Sequence, residues 1–84
     1  MHELSVARNI VKIVLQHPQM DELQTVKSVR LNVGDLTGIV SESLMFCFEL
    51  ASRGTAAQGS RLKIENVSGN ELDIVEVELE EQSS

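Results

Sequence analysis

The spacing of apolar side chains changes along this chain, and that change constrains the fold more than any other feature. Between residues 4 and 15 apolar residues recur every three or four positions, the period of one face of an α-helix. Pro18 cannot continue the helical hydrogen-bond ladder, so we expect this helix to end near Gln16 and His17. Over residues 25–33 the apolar residues alternate instead, which predicts a strand with one buried face.

A second helix is predicted over residues 41–52, after bends at Gly34 and Gly38. Ser41 is its expected N-cap, because a serine hydroxyl can accept a hydrogen bond from the first helical turn. Cys47 falls within the apolar stripe of this helix. We interpret it as a small buried side chain without nucleophilic character.

Two further strands are predicted over residues 61–67 and 71–79. The Gly69-Asn70 pair between them is typical of a two-residue hairpin turn. Its register would place residues of matching character opposite each other: Leu62–Val77, Ile64–Val75, Lys63–Glu76 and Arg61–Glu78. The apolar residues of the last strand change parity between Ile74 and Val75, so we expect a β-bulge or burial of both faces there.

The predicted order is therefore helix, strand, helix, strand, strand. The crossover through the second helix makes the first two strands parallel if they are neighbours. The fold class expected is α/β, a two-layer domain with two helices packed on one face of a three-stranded mixed sheet. Residues 1–84 form a single domain with one modest core, because a chain of 84 residues has room for no more.

Charge and composition exclude several function classes. Seven Lys and Arg against thirteen Asp and Glu give a net charge of −6, and two Phe are the only aromatic residues, which argues against nucleic-acid binding. No apolar run is long enough to span a membrane, and we do not expect the acidic start to be a signal peptide. Its single cysteine cannot form an internal disulfide, which fits the cytoplasm. With no catalytic triad, paired histidines or phosphate loop, we do not expect an enzyme.

The first three residues carry a possible metal-ligand set. The free amine of Met1, the backbone nitrogen of His2 and the imidazole Nδ1 of His2 can close two fused chelate rings in one plane. Nitrogen donors in that arrangement suit square-planar Ni(II) or Cu(II). On the tripeptide alone, a solvated and frayed chain start is the more frequent case.

Several longer segments resemble one known family in sequence and in order: residues 1–11, 32–40, 46–50, 54–59 and 69–78. They are similar to the HypA/HybF family of hydrogenase nickel-insertion accessory proteins. The resemblance implies a nickel-binding metallochaperone module that delivers Ni(II) during nickel–iron hydrogenase maturation in the cytoplasm. It also implies a HypB-like maturation GTPase and a hydrogenase large subunit as partners. Met1, His2 and Glu3 are then the expected nickel ligands.

The chain departs from the family pattern in two places. The family's zinc-binding insert, with two Cys-x-x-Cys pairs, is missing, with an expected junction near Val67–Ser68, so no zinc is expected. A naturally short member and an engineered deletion both fit this gap. The acidic residue that completes the nickel sphere in relatives aligns closest with Val40, so the Glu3 backbone nitrogen is the first choice for the fourth donor. Asp35 either bonds to backbone amides of its turn or adds an oxygen to the metal.

A competing hypothesis is a metal-free protein-interaction module, which folds and docks without delivering nickel. The sequence also leaves two alternatives for the oligomeric state. A monomer is favoured, because the Gly69-Asn70 hairpin is self-consistent, and a strand-swapped dimer is the alternative if the last two strands are not neighbours.

Overall fold

Helices and strands follow one another in the predicted order. The computed structural model describes residues 2–82. Its elements are α1 (Glu3–Leu15), β1 (Gln24–Gly34), α2 (Ser41–Ser52), β2 (Arg61–Val67) and β3 (Leu72–Glu81). Helix α1 ends at Leu15 with Gln16 as its C-cap, as expected for a helix that stops before Pro18.

The three strands form one mixed sheet in the order β2-β1-β3, so β1 is central. It runs parallel to β2 and antiparallel to β3. The buried residues of both helices pack in one cluster with Val29, Leu31 and Val33 of β1. The α/β class, with two helices and a three-stranded mixed sheet, is therefore confirmed.

The predicted hairpin between β2 and β3 is wrong, because β1 lies between these two strands. Three of the four expected rows nevertheless hold across the sheet, with a residue of β1 between their members; the row Ile64–Val75 is wrong, because Leu31 pairs with Ile64 and Ile74. Lys63 and Glu76 both lie opposite Arg30, one on each side. Arg30 takes the place predicted for Lys63 and approaches the Glu76 carboxylate at 3.5 Å. The charge pattern thus indicated the correct row but could not reveal the strand inserted into it.

The segment between β2 and β3 crosses the end of β1, where Gly34 leaves room for it. Gly34 donates its N–H to the carbonyl of Glu71 at 2.6 Å, and Asp35 donates its N–H to the carbonyl of Val67 at 2.8 Å. A Cβ at Gly34 would overlap the backbone carbonyl of Gly69. The chain therefore passes from one edge of the sheet to the other through four residues.

The expected bulge in β3 is present. Glu76 lies opposite Arg30 and Ile74 lies opposite Leu31, so Val75 is the extra residue. Val75 is 48% exposed, whereas the apolar residues on either side of the bulge pack partly buried against the core. The bulge restores the alternation that the sequence breaks at this point.

Two local expectations differ from the structure. Val40, and not Ser41, is the N-cap of α2, and no side chain caps it. Ser41 is the first helical residue, and its hydroxyl donates to Oδ1 of Asn66 at 3.4 Å. Cys47 is only partly buried, because it lies at the margin of the helix face that Leu44 and Phe48 bury.

Candidate metal centre

The candidate site begins where the chain enters α1. Met1 lies outside the described residues. His2 is the N-cap of α1, has an extended backbone (φ −83, ψ 125) and exposes its side chain. Its carbonyl accepts the first helical hydrogen bond, from the N–H of Val6 at 3.1 Å. The imidazole is therefore not used to build the fold.

Glu3, the first residue of α1, joins the amino-terminal ends of the two helices. Its Oε2 accepts a hydrogen bond from the backbone N–H of Val40, the N-cap of α2, at 3.2 Å. One carboxylate thus lies at the positive ends of both helix dipoles, where a negative charge is favourable. The Glu3 side chain thus has a structural contact of its own, and the backbone nitrogen of Glu3 stays the predicted metal donor.

A groove of about 410 Å³ opens between the first turns of α1 and α2. It is lined by His2, Glu3, Leu4, Glu42, Ser43, Phe46 and Cys47. The sequence analysis placed Cys47 in the core, and it did not predict that Cys47 and Glu42 line the same groove as His2. No local spacing could reveal this, because the groove forms only when the two helices pack side by side.

Asp35, the fourth residue named from sequence, bonds across the end of the sheet. Its Oδ1 accepts a hydrogen bond from the N–H of Gly69 at 2.9 Å. This agrees with the expectation that its carboxylate binds backbone amide groups, although the amide belongs to the crossing segment and not to its own turn. A role of Asp35 as a metal ligand stays a prediction.

Side-chain ligands alone do not form a closed metal cage. Within residues 2–82, no group of three or more His, Cys, Asp or Glu side chains is arranged to hold a metal ion. The predicted site is of a different kind, because an amine, backbone nitrogens and one imidazole require only one side chain. The other histidine, His17, has its Nδ1 occupied as acceptor of the Gln19 N–H at 3.1 Å.

Comparison with known proteins identifies related chains. Residues 1–72 match the family model described as "HypA: Hydrogenase/urease nickel incorporation, metallochaperone, hypA". Among curated proteins, "Hydrogenase maturation factor HypA" of Streptomyces avermitilis is 49% identical over 70 residues, which is 82% of this chain and 53% of the relative. The protein of the same name from Archaeoglobus fulgidus is 47% identical over 64 residues, 76% of this chain and 58% of the relative.

The family model covers both helices and the first two strands, whereas the chain matches only part of the length of each relative. A third HypA, from Azotobacter chroococcum, is 41% identical over 69 residues, 82% of this chain and 61% of its own length. The chain thus spans between about half and three-fifths of the curated relatives that it matches. A family model that extends over residues 1–72, with these identities, shows that the chain belongs to the HypA family of nickel metallochaperones.

Proposed function

We propose that this chain is a nickel-binding module that holds Ni(II) through residues 1–3 in a protein that begins at Met1. The proposed donors are the Met1 amine, the backbone nitrogen and imidazole of His2, and the backbone nitrogen of Glu3. The observation that carries the proposal is the position of His2, exposed beside the groove between the helices and ahead of the first helical turn. The family description, nickel incorporation, supports the choice of metal.

The start of a helix is chemically suited to these donors. The first N–H groups of an α-helix have no acceptor within the helix, so a metal that displaces their protons breaks no helical hydrogen bond. The N–H groups of His2 and Glu3 precede that of Val6, which makes the first bond of α1. A planar set of nitrogen donors matches the geometry that Ni(II) prefers. A carrier also needs accessible ligands, and the exposed His2 provides one.

We further propose that the module passes Ni(II) to a HypB-like maturation GTPase and a hydrogenase large subunit in the cytoplasm. The name shared by the relatives, hydrogenase maturation factor, supports hydrogenase maturation as the process that the module serves. Across residues 2–82, the structure contains no helix long and apolar enough to cross a membrane. The chain itself would act as a carrier and not as an enzyme.

We also propose that the fold forms without zinc. The sequence has one cysteine, Cys47, and a Cys₄ site cannot be built from it. A strong chelator should therefore leave the far-ultraviolet circular dichroism unchanged, because no structural metal is lost. Loss of helical signal on chelation would show that a metal does hold the fold together.

A second candidate function is a protein-interaction module that carries no functional metal. It is favoured by apolar side chains exposed near the amino-terminal ends of the helices. Val40 is 57% exposed and Phe46 is 62% exposed. Such a module would bind a maturation partner equally well with and without nickel.

Calorimetric titration with nickel, on protein that has a native and untagged amino terminus, separates the two functions. The parent should bind one Ni(II). Addition of one residue before Met1 moves the amine out of its chelate ring, and His2→Ala removes the imidazole, so each should abolish tight binding. His17→Ala is the matched control and should bind as the parent does. Parent affinity in the extended protein or in His2→Ala would place the site elsewhere and refute the proposal.

A further inference from the structure

The loop between β1 and α2 is anchored at both ends by contacts distant in sequence. At its start, Oδ1 of Asp35 accepts the N–H of Gly69 at 2.9 Å. At its end, the N–H of Val40 donates to the carboxylate of Glu3 at 3.2 Å. The same loop therefore touches both the segment that crosses the sheet and the segment that carries the candidate nickel donors.

Hydrogen bonds also stabilise the middle of this loop. The Thr37 hydroxyl donates to the carbonyl of Gly34 at 2.8 Å and accepts the N–H of Ile39 at 3.2 Å. Leu36 adds a bond to the crossing segment, from its N–H to the carbonyl of Gly69 at 2.8 Å. Hydrogen bonds thus hold the loop from its first residue to its last. Of loop residues 35–40, all but Gly38 take part in these bonds, so we expect a displacement at one anchored end to reach the other.

We propose that Asp35 is a positioning residue for the amino-terminal nickel site, and that it acts through this loop and not as a ligand. By holding the loop against Gly69, Asp35 places the Val40 N–H where it fixes the Glu3 side chain. The first turn of α1 is then held in place before the metal arrives. Binding to a donor set that is already ordered costs less conformational entropy.

The nickel measurements for this inference rest on the proposed function. Two substitutions of Asp35 distinguish a positioning role from a role as metal ligand. Asp35→Asn keeps an oxygen that accepts the Gly69 N–H but removes the negative charge. Asp35→Ala removes both. We expect Asp35→Ala to weaken nickel binding about fivefold, the effect of losing one hydrogen bond, and Asp35→Asn to stay near the parent. Equal losses in the two variants would mean that the charge itself serves the metal and would overturn the proposal.

Asp21 supplies the matched control, because its Oδ1 accepts the N–H of Leu23 at 2.8 Å in a turn outside this loop. Asp21→Ala loses the same kind of bond and should bind nickel as the parent does. Thr37→Val removes the hydroxyl that bonds to Gly34 and Ile39 and keeps the size of the side chain. It should reduce nickel affinity as much as Asp35→Ala does. Parent affinity in both Asp35→Ala and Thr37→Val would refute the proposal.

A double-mutant cycle tests the route from Asp35 to Glu3. Glu3→Ala keeps the backbone nitrogen but removes the acceptor of the Val40 N–H. If Asp35 acts through that contact, Asp35→Ala should cost nothing further in a Glu3→Ala background. Full additivity of the two losses would contradict the route.

A measurement without nickel keeps this inference separate from the proposed function. In amide spectra of the metal-free protein, the Val40 resonance should move in Asp35→Ala toward its position in Glu3→Ala, and should stay in place in Asp35→Asn. An unmoved Val40 resonance in Asp35→Ala would refute the inference, whatever the nickel titrations show. Nickel binding by His2→Ala at parent affinity would instead refute the proposed function, and the Val40 shifts would still decide the role of Asp35.

Discussion

The backbone of Gly34 lies so close to the carbonyl of Gly69 that no side chain fits between them. Gly34 ends β1, and Gly69 belongs to the segment that carries the chain over that end. The crossing is possible because the central strand finishes without a Cβ. This glycine is required for close approach of two backbones and not for an unusual backbone angle, since its φ is not positive.

Gly34→Ala should therefore destabilise the fold by about 3 kcal/mol, because the added methyl group forces the crossing segment away from β1. Gly38→Ala is the comparison. Gly38 has a φ of 76 and nothing within 4 Å of its Cβ position, so only the left-handed backbone opposes the change, at about 1 kcal/mol. Urea unfolding of both variants measures the difference. Equal losses would show that the crossing segment moves aside freely.

The Ser28–Glu78 contact predicts a response to acid. Ser28 donates to Oε1 of Glu78 at 2.8 Å, and this bond, with smaller effects of Lys27 and Lys63, lowers the pKa of Glu78 below its ordinary value of 4.5. A lowered pKa means that ionised Glu78 stabilises the fold above its unfolded pKa. That stabilisation is lost as the pH falls through the lower, folded pKa.

Ser28→Ala should raise the pKa of Glu78 and reduce the stability that the protein loses between neutral and acid pH. Carboxyl-carbon titration by nuclear magnetic resonance reads the pKa directly, and unfolding at several pH values reads the stability. Ser41→Ala, which removes a hydroxyl that bonds to an amide and not to a carboxylate, is the control. An unchanged Glu78 midpoint in Ser28→Ala would show that the charges of Lys27 and Lys63 suffice.

The proposed nickel donors predict how affinity varies with pH and with the metal. The amine, backbone and imidazole nitrogens of Met1 and His2 bind a metal only after losing protons, so affinity should fall as the solution is acidified. Cu(II) should bind more tightly than Ni(II), in the usual order for divalent metals. Competition titrations at several pH values measure both effects. An affinity independent of pH would be incompatible with these donors.

The crossing segment also bears on oligomeric state. The two edge strands are joined within one chain across Gly34, so no exchange with a second copy is needed to complete the sheet. We expect a monomer, with a mass by light scattering that does not change with concentration. A dimer that persists on dilution would favour the strand-swapped alternative.

Local patterns in the sequence predicted each element, and the predictions failed where a long-range neighbour decides the outcome. The bounds of α2 and β2 follow from local periodicity, and the bulge at Val75 follows from a break in alternation. The hairpin failed because Gly69-Asn70 carries a valid turn signal, while nothing near it in sequence shows that β1 fills the space. Cross-strand charges could not correct this error, because Lys63 and Glu76 still lie in one row, with Arg30 between them.

The candidate site likewise combines residues that were named from the sequence with contacts that only the fold reveals. Covalent geometry indicated a possible chelate at Met1 and His2, and the resemblance to the HypA/HybF family implied that Met1, His2 and Glu3 bind nickel. The Glu3–Val40 contact joins residues 37 positions apart, and the exposure of Glu42 to the same groove depends on how two helices pack. Neither leaves a local pattern. Asp35 was identified from sequence, but its bond to Gly69 could not be foreseen while the segment around Gly69 was assigned to a hairpin.

The central position of β1 has a consequence for the order in which the protein can assemble during synthesis. The two strands that flank β1, β2 and β3, are both synthesised after it. The first residue of β1, Gln24, pairs with the last residue of β3, Glu81. A nascent chain that has reached only β2 can pair one side of β1, while the other side waits for residues 72–81. Long-range pairings of this kind slow folding, because the intervening chain must be closed into a loop first. When residues 72–81 leave the ribosome, they should therefore convert a partly ordered chain into the complete sheet.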